Sequence, residues 1–264
     1  MAWRLSRFHV VIALAMLVSG CDRKASPPTP TPEAPPPSAA STSTRPSPSK
    51  RVVAGLTILE MTTGGAQATD ALPVIVFIHG MGDRPESFVP WVATWSIRAR
   101  VVLPRAPHPR PPGYSWFNYP ALDDDLDKGV REATRGLGAL LEELARERPA
   151  TAGNIVSGFS QGGILSFALA ALRPDLVSHA LPISGFLPPT IAPRAGDGGR
   201  GNTLFAMHGD EDGMVPIDRD RRSIAVLRGA GIDASLREFP GVRHTITPEM
   251  EAEHASRLRA IVPR

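Results

Sequence analysis

From residue 51 onward, short apolar runs alternate with longer stretches whose apolar residues recur at helical spacing. Val74–Ile78 is apolar throughout, which is typical of a strand buried on both faces of a sheet. Residues 123–148 instead carry leucine or valine at helical spacing, have acidic residues in their first turn and are followed by Pro149, which predicts one long helix. The alternation predicts an α/β fold with a mainly parallel, doubly wound sheet flanked by helices.

The other elements follow from the same pattern. Residues 56–60 predict an early strand that could lie at a sheet edge, and residues 185–202 are a loop rich in proline and glycine. Because that loop is too short to hold a helical lid, we expect no large cap domain. Further strands are predicted at residues 100–104, 154–157, 179–184, 203–207 and 234–239, and further helices at residues 86–97, 164–173, 217–228 and 248–261.

The N-terminal residues have a different composition. Arg4 and Arg7 precede a short apolar run, and the small residues Ser19 and Gly20 stand directly before Cys21. This arrangement resembles a bacterial lipoprotein signal, which implies cleavage before Cys21 and lipidation of the new N-terminus. An ordinary signal peptide or an uncleaved anchor is the alternative.

The lipoprotein interpretation divides the chain into three parts. Residues 1–20 are predicted to be a signal peptide, and residues 21–50, rich in proline, serine, threonine and alanine, a disordered tether behind the lipid. Residues 51–264 are predicted to form the catalytic domain. A lipid anchor would place that domain in the cell envelope, attached to a membrane and facing the periplasm or the exterior.

Composition narrows the range of functions. The net charge is only +3 and the arginines are scattered, which argues against a nucleic-acid-binding surface. A single cysteine excludes an intramolecular disulfide and a thiolate metal cluster. The sequence does not indicate an oligomeric state.

The segment around which the chain is organised reads Gly-Phe-Ser-Gln-Gly-Gly at residues 158–163, between a predicted strand and a predicted helix. Gly158 and Gly162 lack the Cβ atoms that would clash in a sharp turn, so Ser160 could be held there in a strained conformation. Such a turn exposes the hydroxyl beside a helix N-terminus, where an oxyanion is stabilised. The alternative is a glycine-rich loop with a serine helix cap.

A nucleophilic serine needs a histidine base, and the base needs a carboxylate to orient it. The strand at 203–207 is followed by three acidic residues, at positions 210, 211 and 212. Asp210 lies in a turn, where aspartates usually bond to backbone, so Asp212, further along the loop, is the preferred acid. Glu211 is the third candidate.

Two histidines follow these acids. His244 lies in a loop after the last predicted strand, where a base for Ser160 could reach the same sheet edge, whereas His254 falls within the closing helix and is assigned to packing or solvent. His79 and His208 each precede a glycine at a strand end, and we expect structural hydrogen bonds from them.

The tetrahedral intermediate of acyl transfer also needs hydrogen-bond donors for its oxyanion. The backbone N–H of Gln161, which follows the serine, is the first candidate. The second is the N–H of Met81, because Gly80 and Gly82 on either side allow a close backbone approach. A simple tight turn is the other interpretation of this glycine-rich loop.

These motifs together resemble the phospholipase/carboxylesterase family of α/β-hydrolases, which includes the acyl-protein thioesterases. The resemblance spans residues 51–264 and implies a serine esterase or thioesterase that needs no cofactor, with Ser160, Asp212 and His244 as its triad. We expect no metal site, because the triad loop already explains the cluster of His208, Asp210 and Asp212. One departure is the proline-rich loop at 105–117, so acyl-chain preferences do not transfer. The motifs are His-Gly-Met-Gly-Asp at 79–83, Arg-Ala-Pro at 105–107 with Gly-Tyr-Ser-Trp-Phe at 113–117, the serine segment, His-Gly-Asp-Glu-Asp at 208–212 with Val-Pro at 215–216, and residues 241–244.

Three aromatic residues of the proline-rich loop, Tyr114, Trp116 and Phe117, either line the substrate pocket or cover apolar core. With no lid, we expect an open site that takes short to medium acyl esters. A thioesterase, a lysophospholipase or a peptidase on the same scaffold is the alternative function, and a non-catalytic envelope binding protein is a third.

Overall fold

The computed structural model describes residues 47–118, 123–148, 150–151, 153–193 and 201–262. The signal and most of the tether predicted from the sequence lie outside these residues. The strands are β1 (Ser49–Val53), β2 (Leu56–Thr63), β3 (Val74–Ile78), β4 (Ala99–Pro104), β5 (His108–Arg110), β6 (Gly113–Ser115), β7 (Asn154–Phe159), β8 (Val177–Ile183), β9 (Thr203–Gly209) and β10 (Asp233–Phe239). The α-helices are α1 (Val89–Val92), α2 (Asp123–Glu147), α3 (Gln161–Leu172), α4 (Ile217–Gly229) and α5 (Pro248–Ile261).

Eight of these strands form one sheet in the order β1-β2-β4-β3-β7-β8-β9-β10. The six strands from β4 to β10 in that order are parallel, and β1 and β2 are antiparallel additions at one edge. Strands β5 and β6 form a separate hairpin. The predicted α/β fold with a mainly parallel sheet is therefore confirmed.

Both faces of the sheet are covered. Val74, Val76 and Ile78 of β3 pack into a core with residues of α2, α3 and α4, while the alternate residues Ile75 and Phe77 pack on the other face with residues of α1 and α5. This alternation is the two-residue period of a strand buried on both sides. It explains why β3 is apolar at every position.

Three element predictions were wrong, and one of them is the loop predicted at 105–117, which contains the strands β5 and β6. Instead of a helix over 86–97, the chain forms a 3₁₀ turn at Pro85–Phe88 and the single turn of α1. The hydroxyl and the N–H of Thr94 both bond to the carbonyl of Trp91, at 2.6 and 2.9 Å, and this tight turn competes with continuation of the helix. Strand β2 does not lie at an edge of the sheet, because β1 pairs with its outer side and forms that edge. β1 begins at Ser49 and lacks a clear apolar pattern, because its Val52 is largely exposed.

Loop 185–202 contains a 3₁₀ turn at Pro189–Ile191, and its residues 194–200 are not among the residues that the structure describes. No cap domain is present among the described residues. None of the helices in this part of the chain is long and apolar enough to cross a membrane.

Candidate active site

Ser160 stands between β7 and α3 in a backbone conformation that is rare for a residue with a side chain, with φ 58° and ψ −115°. Its N–H donates to the carbonyl of Ile183 at 3.0 Å, which ties the turn to the end of β8. Strain of this kind costs about 1–3 kcal/mol and is found where the surrounding structure enforces it. The sharp turn predicted from the glycine pattern is present.

The glycines next to Ser160 allow three backbone segments to meet. A Cβ at Gly162 would lie 1.9 Å from the carbonyl oxygen of Ile78, and one at Gly158 would lie 2.6 Å from the same oxygen. Because these neighbours are backbone atoms of β3, a rotamer change cannot relieve the clash. Glycine at both positions is therefore a packing requirement of the elbow.

His244 and Asp212 form a chain of hydrogen bonds to Ser160. His244 Nε2 lies 2.9 Å from Ser160 Oγ, and His244 Nδ1 lies 2.7 Å from Asp212 Oδ2. A carboxylate can only accept, so His244 carries its proton on Nδ1 and leaves Nε2 free to take the serine proton. The side chains come from the loops after β7, β9 and β10, which all open at the carboxyl edge of the sheet.

Asp212 is buried and held from several sides. Its Oδ1 accepts the N–H groups of Met214 at 2.9 Å and Val215 at 2.8 Å. Burial alone would raise the pKa of Asp212, but hydrogen bonds from His208 and His244 outweigh it and hold that pKa well below its usual range. Asp212 is thus an oriented carboxylate at neutral pH.

The other two acids of this loop are placed differently. Asp210 is exposed, and its Oδ1 accepts the N–H of Gly241 at 2.7 Å. It therefore joins the loop after β9 to the loop that carries His244. Glu211 is exposed and lies outside the hydrogen-bond chain.

Behind Asp212 lies an ion pair that the sequence analysis missed. The fully buried His208 donates from Nδ1 to Asp220 Oδ2 at 2.9 Å, and its Nε2 faces the carbonyl of Val215 at 2.8 Å and Asp212 Oδ2 at 3.3 Å. Burial opposes the charge on His208, yet hydrogen bonds to Asp212 and Asp220 raise its pKa to about 9. Burial raises the pKa of Asp220 to about 6, so both groups are charged between these values.

Of this pair, only His208 could be assigned a structural role from the sequence. Asp220 lies in the first turn of α4, where acidic residues are common, so its partner could not be predicted. Acids at that position commonly stabilise the helix dipole. The β9–α4 packing turns Asp220 inward onto His208. The structural role expected for His208 agrees with these contacts.

The raised pKa of His208 makes the stability of the fold depend on pH. A histidine whose pKa is raised to about 9 contributes stability below its unfolded value near 6.5 and loses that contribution as the pH rises through about 9. Between about pH 7 and pH 10 the wild type should lose roughly 2–3 kcal/mol that His208→Gln does not lose. Urea unfolding of both proteins at several pH values measures this; a constant difference between them would contradict it.

The glycine-rich loop after β3 lies against the serine. A Cβ added to Gly80 would be 3.3 Å from the Cβ of Ser160, so the loop backbone passes directly beside it. Within the part of the chain that the structure describes, no other group accepts the N–H of Met81 or of Gln161. Gln161 follows Ser160 in the chain and Met81 follows Gly80, whose backbone lies beside Ser160; neither N–H has an acceptor among the described residues.

The side chain of Gln161 connects the elbow to the loop after β6. Its Oε1 accepts the N–H of Trp116 at 3.0 Å and the hydroxyl of Ser115 at 3.2 Å, and its Nε2 donates to the carbonyl of Phe117 at 2.8 Å. All these groups are buried. The sequence motifs around residues 115 and 161 are thus one hydrogen-bonded unit in space.

His79 has the structural role that was expected. Its Nδ1 donates to the carbonyl of Gly80 at 2.7 Å, and its Nε2 accepts the N–H of Ala106 at 3.1 Å. The indole N–H of Trp116 donates to the His79 carbonyl at 3.0 Å. Burial lowers the pKa of His79, so it is neutral and fixes the loop beside Ser160.

His254 is a packing residue. It is fully buried on the other face of the sheet against Phe77, Trp91 and Trp95, and its Nε2 contacts Ser157 Oγ at 2.9 Å. Burial lowers the pKa of His254 to about 3, so the ring is neutral. Of the two histidines that follow the acidic residues in the sequence, only His244 reaches Ser160.

The three aromatic pocket candidates are placed differently from one another. Trp116 and Phe117 are buried in the core, yet both also border a cavity of about 440 Å³ between the β5–β6 hairpin and α2. Tyr114 is half-buried and lines a separate cavity. None of Ser160, Asp212 and His244 lines either cavity, so the buried positions of Trp116 and Phe117 favour the role of covering apolar core.

Among the residues that the structure describes, no group of three or more histidine, cysteine, aspartate or glutamate side chains is arranged to hold a metal ion.

The fold and the site together define a serine hydrolase of the α/β-hydrolase class. The chain belongs to the phospholipase/carboxylesterase family, whose model matches residues 65–260. Acyl-protein thioesterase 1 of Gibberella zeae is 28% identical over 221 residues, covering 74% of this chain and 93% of that protein. Carboxylesterase SOBER1 of Arabidopsis thaliana is 24% identical over 190 residues, covering 66% and 83%.

Solved structures share the fold. The crystal structure of esterase PE8 matches with a TM-score of 0.66 and 23% identity, covering 82% of this chain and 99% of that one. TT1662 from Thermus thermophilus matches with a TM-score of 0.64 and 20% identity, covering 82% and 98%. The chain is thus a hydrolase of ester or thioester bonds on an α/β-hydrolase scaffold.

Proposed function

We propose that this protein is a carboxylic-ester hydrolase that works through an acyl-enzyme on Ser160. The observation that carries the proposal is the continuous hydrogen-bond chain from Ser160 Oγ through His244 to Asp212, with distances of 2.9 and 2.7 Å. A serine hydroxyl becomes a useful nucleophile when a base is within reach of its proton and a carboxylate orients that base.

The first half of the reaction forms the acyl-enzyme. Ser160 Oγ attacks the carbonyl carbon of the ester while His244 Nε2 takes the hydroxyl proton. The resulting imidazolium is stabilised by Asp212 through the Nδ1–H bond. When the tetrahedral intermediate collapses, the bond to the alcohol breaks and His244 returns the proton to the leaving oxygen.

The second half regenerates the enzyme. Water gives a proton to His244 and attacks the acyl carbon, and collapse of the second intermediate returns that proton to Ser160 Oγ. In both halves the N–H groups of Met81 and Gln161 are the proposed donors to the oxyanion. Their placement beside Ser160, with no other acceptor among the described residues, supports this role.

A thioester is the second candidate for the bond that is cleaved. The observation in its favour is the similarity over 74% of the chain to a protein named acyl-protein thioesterase 1. The same triad serves either bond, because only the leaving atom differs. A lysophospholipase or peptidase activity would use the same machinery, whereas an inactive binding protein would have no need for the strained Ser160.

The acyl group is proposed to be short to medium in length. The support is an active-site edge with no cap domain among the described residues and only a 3₁₀ turn in the loop after β8. We expect p-nitrophenyl acetate and butyrate to be cleaved with a kcat/KM at least about tenfold above that of palmitate, because little apolar surface encloses a long chain. Steady-state kinetics on the three esters measures this, and a preference for palmitate would contradict it.

We further propose that the hydrolase is anchored to a membrane of the cell envelope by lipid on Cys21. The support is the run of basic, apolar and small residues that ends at Cys21 in the sequence. Mass spectrometry of the protein purified from membranes should find an acylated N-terminal Cys21. A mature protein that begins elsewhere, or an unmodified Cys21, would contradict the anchor.

A further inference from the structure

A second cavity, of about 510 Å³, lies beside the β5–β6 hairpin. We call it the basic pocket, because three cationic side chains line it together with one acid, Glu86. The cations are Lys50, Arg84 and Arg105. The remaining lining residues are Pro109, Pro111, Pro112, Gly113 and Tyr114.

The three cations of the basic pocket have no acidic partner among the described residues. Within the described ranges, Lys50, Arg84 and Arg105 form no ion pair, and Glu86 forms none either. Many other arginines of this protein are held by carboxylates at hydrogen-bond distance; these are Arg51, Arg98, Arg100, Arg173, Arg221, Arg237 and Arg257. The pocket lining therefore keeps a net positive charge that no ion pair among the described residues neutralises.

Arg105 is held in place by neutral groups. Its Nη2 donates to Thr57 Oγ1 at 3.1 Å, and its guanidinium lies 4.7 Å from the ring centre of Tyr114. Its Nη1 is 3.4 Å from the Tyr114 hydroxyl. These contacts fix the side chain without cancelling its charge, which is the state in which a guanidinium binds a carboxylate or a phosphate with little loss of entropy.

The pocket is connected to the loop beside Ser160. The carbonyl of Tyr114 accepts the N–H of Gly82 at 2.8 Å, and the N–H of Tyr114 donates to the carbonyl of Asp83 at 2.9 Å. Gly80, on the same loop, lies against Ser160, and Arg84 follows it by four residues, a span of at most about 15 Å. Arg105 itself directly follows β4, at the carboxyl edge where Ser160 also lies.

We propose that the basic pocket binds an anionic group, a carboxylate or a phosphate, carried by the ester substrate at a distance from the bond that is cleaved. The inference rests on the proposed ester hydrolysis at Ser160 and adds the chemical class of its substrate. Glu86 in the lining opposes binding, as does the nearby carboxylate of Asp83, whose Oδ1 accepts the N–H of Arg84 at 2.8 Å, but three cations outnumber these two acids. The positive charge of the three cations attracts an anionic substrate while it approaches Ser160.

The test compares pairs of esters of similar size, one member of which carries a negative charge. Mono-p-nitrophenyl glutarate and p-nitrophenyl valerate carry five-carbon acyl groups with and without a carboxylate. The butyrate esters of 4-hydroxybenzoic acid and of its methyl ester place the charge on the alcohol side. For one of the two pairs, the wild type should show a kcat/KM at least about tenfold higher for the anionic member, a preference that added salt weakens.

The variants assign that preference to the pocket. In Arg105→Gln the ratio of anionic to neutral kcat/KM should fall about tenfold, and Arg105→Lys should recover part of it. Arg84→Gln should lower the ratio by a smaller factor, and it provides the test if Arg105→Gln does not fold, because Arg84 is exposed. Arg110→Gln, an exposed arginine of β5 outside the pocket lining, is the matched control and should keep the ratio.

Each outcome bears on one of the two proposals. A wild-type ratio near one in both pairs, or a ratio that Arg105→Gln and Arg110→Gln change equally, overturns the basic pocket while ester hydrolysis stands. A wild type that cleaves none of the four esters overturns the ester hydrolase and the pocket with it. Preference in one pair only also tells whether the acyl or the alcohol side enters the pocket.

Discussion

Ser160→Ala should lower ester hydrolysis by about 10⁶-fold, to the background rate, and should abolish covalent capture by a fluorophosphonate probe. The substitution removes Ser160 Oγ, which lies 2.9 Å from His244 Nε2, so neither an acyl-enzyme nor a phosphonyl-enzyme can form there. His244→Ala should greatly weaken capture, because the hydroxyl then keeps its proton. Probe labelling followed by peptide mapping measures both effects.

The acid of the triad has its own matched control. Asp212→Asn should lower kcat by about 10⁴-fold, because an amide can stabilise the wrong tautomer of His244. Glu211→Gln, the neighbouring exposed acid of the same loop, should leave kcat within about twofold of the wild type. Probe capture of the folded Ser160→Ala protein, or equal losses in the Asp212 and Glu211 variants, would contradict the assigned triad.

Gly162→Ala should destabilise the protein by about 3 kcal/mol and lower kcat/KM at least about 100-fold. The added Cβ would lie 1.9 Å from the Ile78 carbonyl oxygen and 2.6 Å from its carbon, so α3 must move away from β3. That movement displaces Ser160 on one side and the loop after Ile78 on the other. Urea unfolding and steady-state kinetics measure the two effects.

The same substitution at Gly136 provides the control. Gly136 lies in the middle of α2, and a Cβ there would meet no atom within 4 Å. Gly136→Ala should therefore stabilise the protein by about 0.5–1 kcal/mol, because alanine is the better helix former. If both variants changed stability in the same direction, the close contact between Gly162 and β3 would not be the cause.

Much of the architecture could be predicted because its signals are local. The uniformly apolar β3 and the regular spacing of leucines in α2 gave the correct elements, since each pattern reflects the faces that those elements bury. The segment at 86–97 was predicted wrongly because the Thr94 turn depends on one side-chain hydrogen bond. β1 was missed because an exposed edge strand needs no apolar alternation.

Some residues of the site could be predicted from the sequence and others could not. Ser160, Asp212 and His244 could be selected from the sequence, because a nucleophile between glycines and the order of acid before histidine restrict the choice. The unexpected feature is the His208–Asp220 pair, in which two ordinary-looking residues twelve positions apart are both buried at 2.9 Å. The basic pocket is a further example, since its cations come from β1, the loop after β3 and the end of β4.

By itself the sequence determined the α/β fold, the serine elbow and the residues available for a triad, because strand faces, glycine turns and motif order are properties of neighbouring positions. Only the tertiary structure decided that His244 and not His254 reaches Ser160, that Asp210 bonds to Gly241 while Asp212 orients the base, and that Arg105 has no acidic partner among the described residues. These contacts join residues that are far apart in the sequence, and only the folded chain brings them together. The distances between them, their burial and the charges around them determine the chemistry of the site.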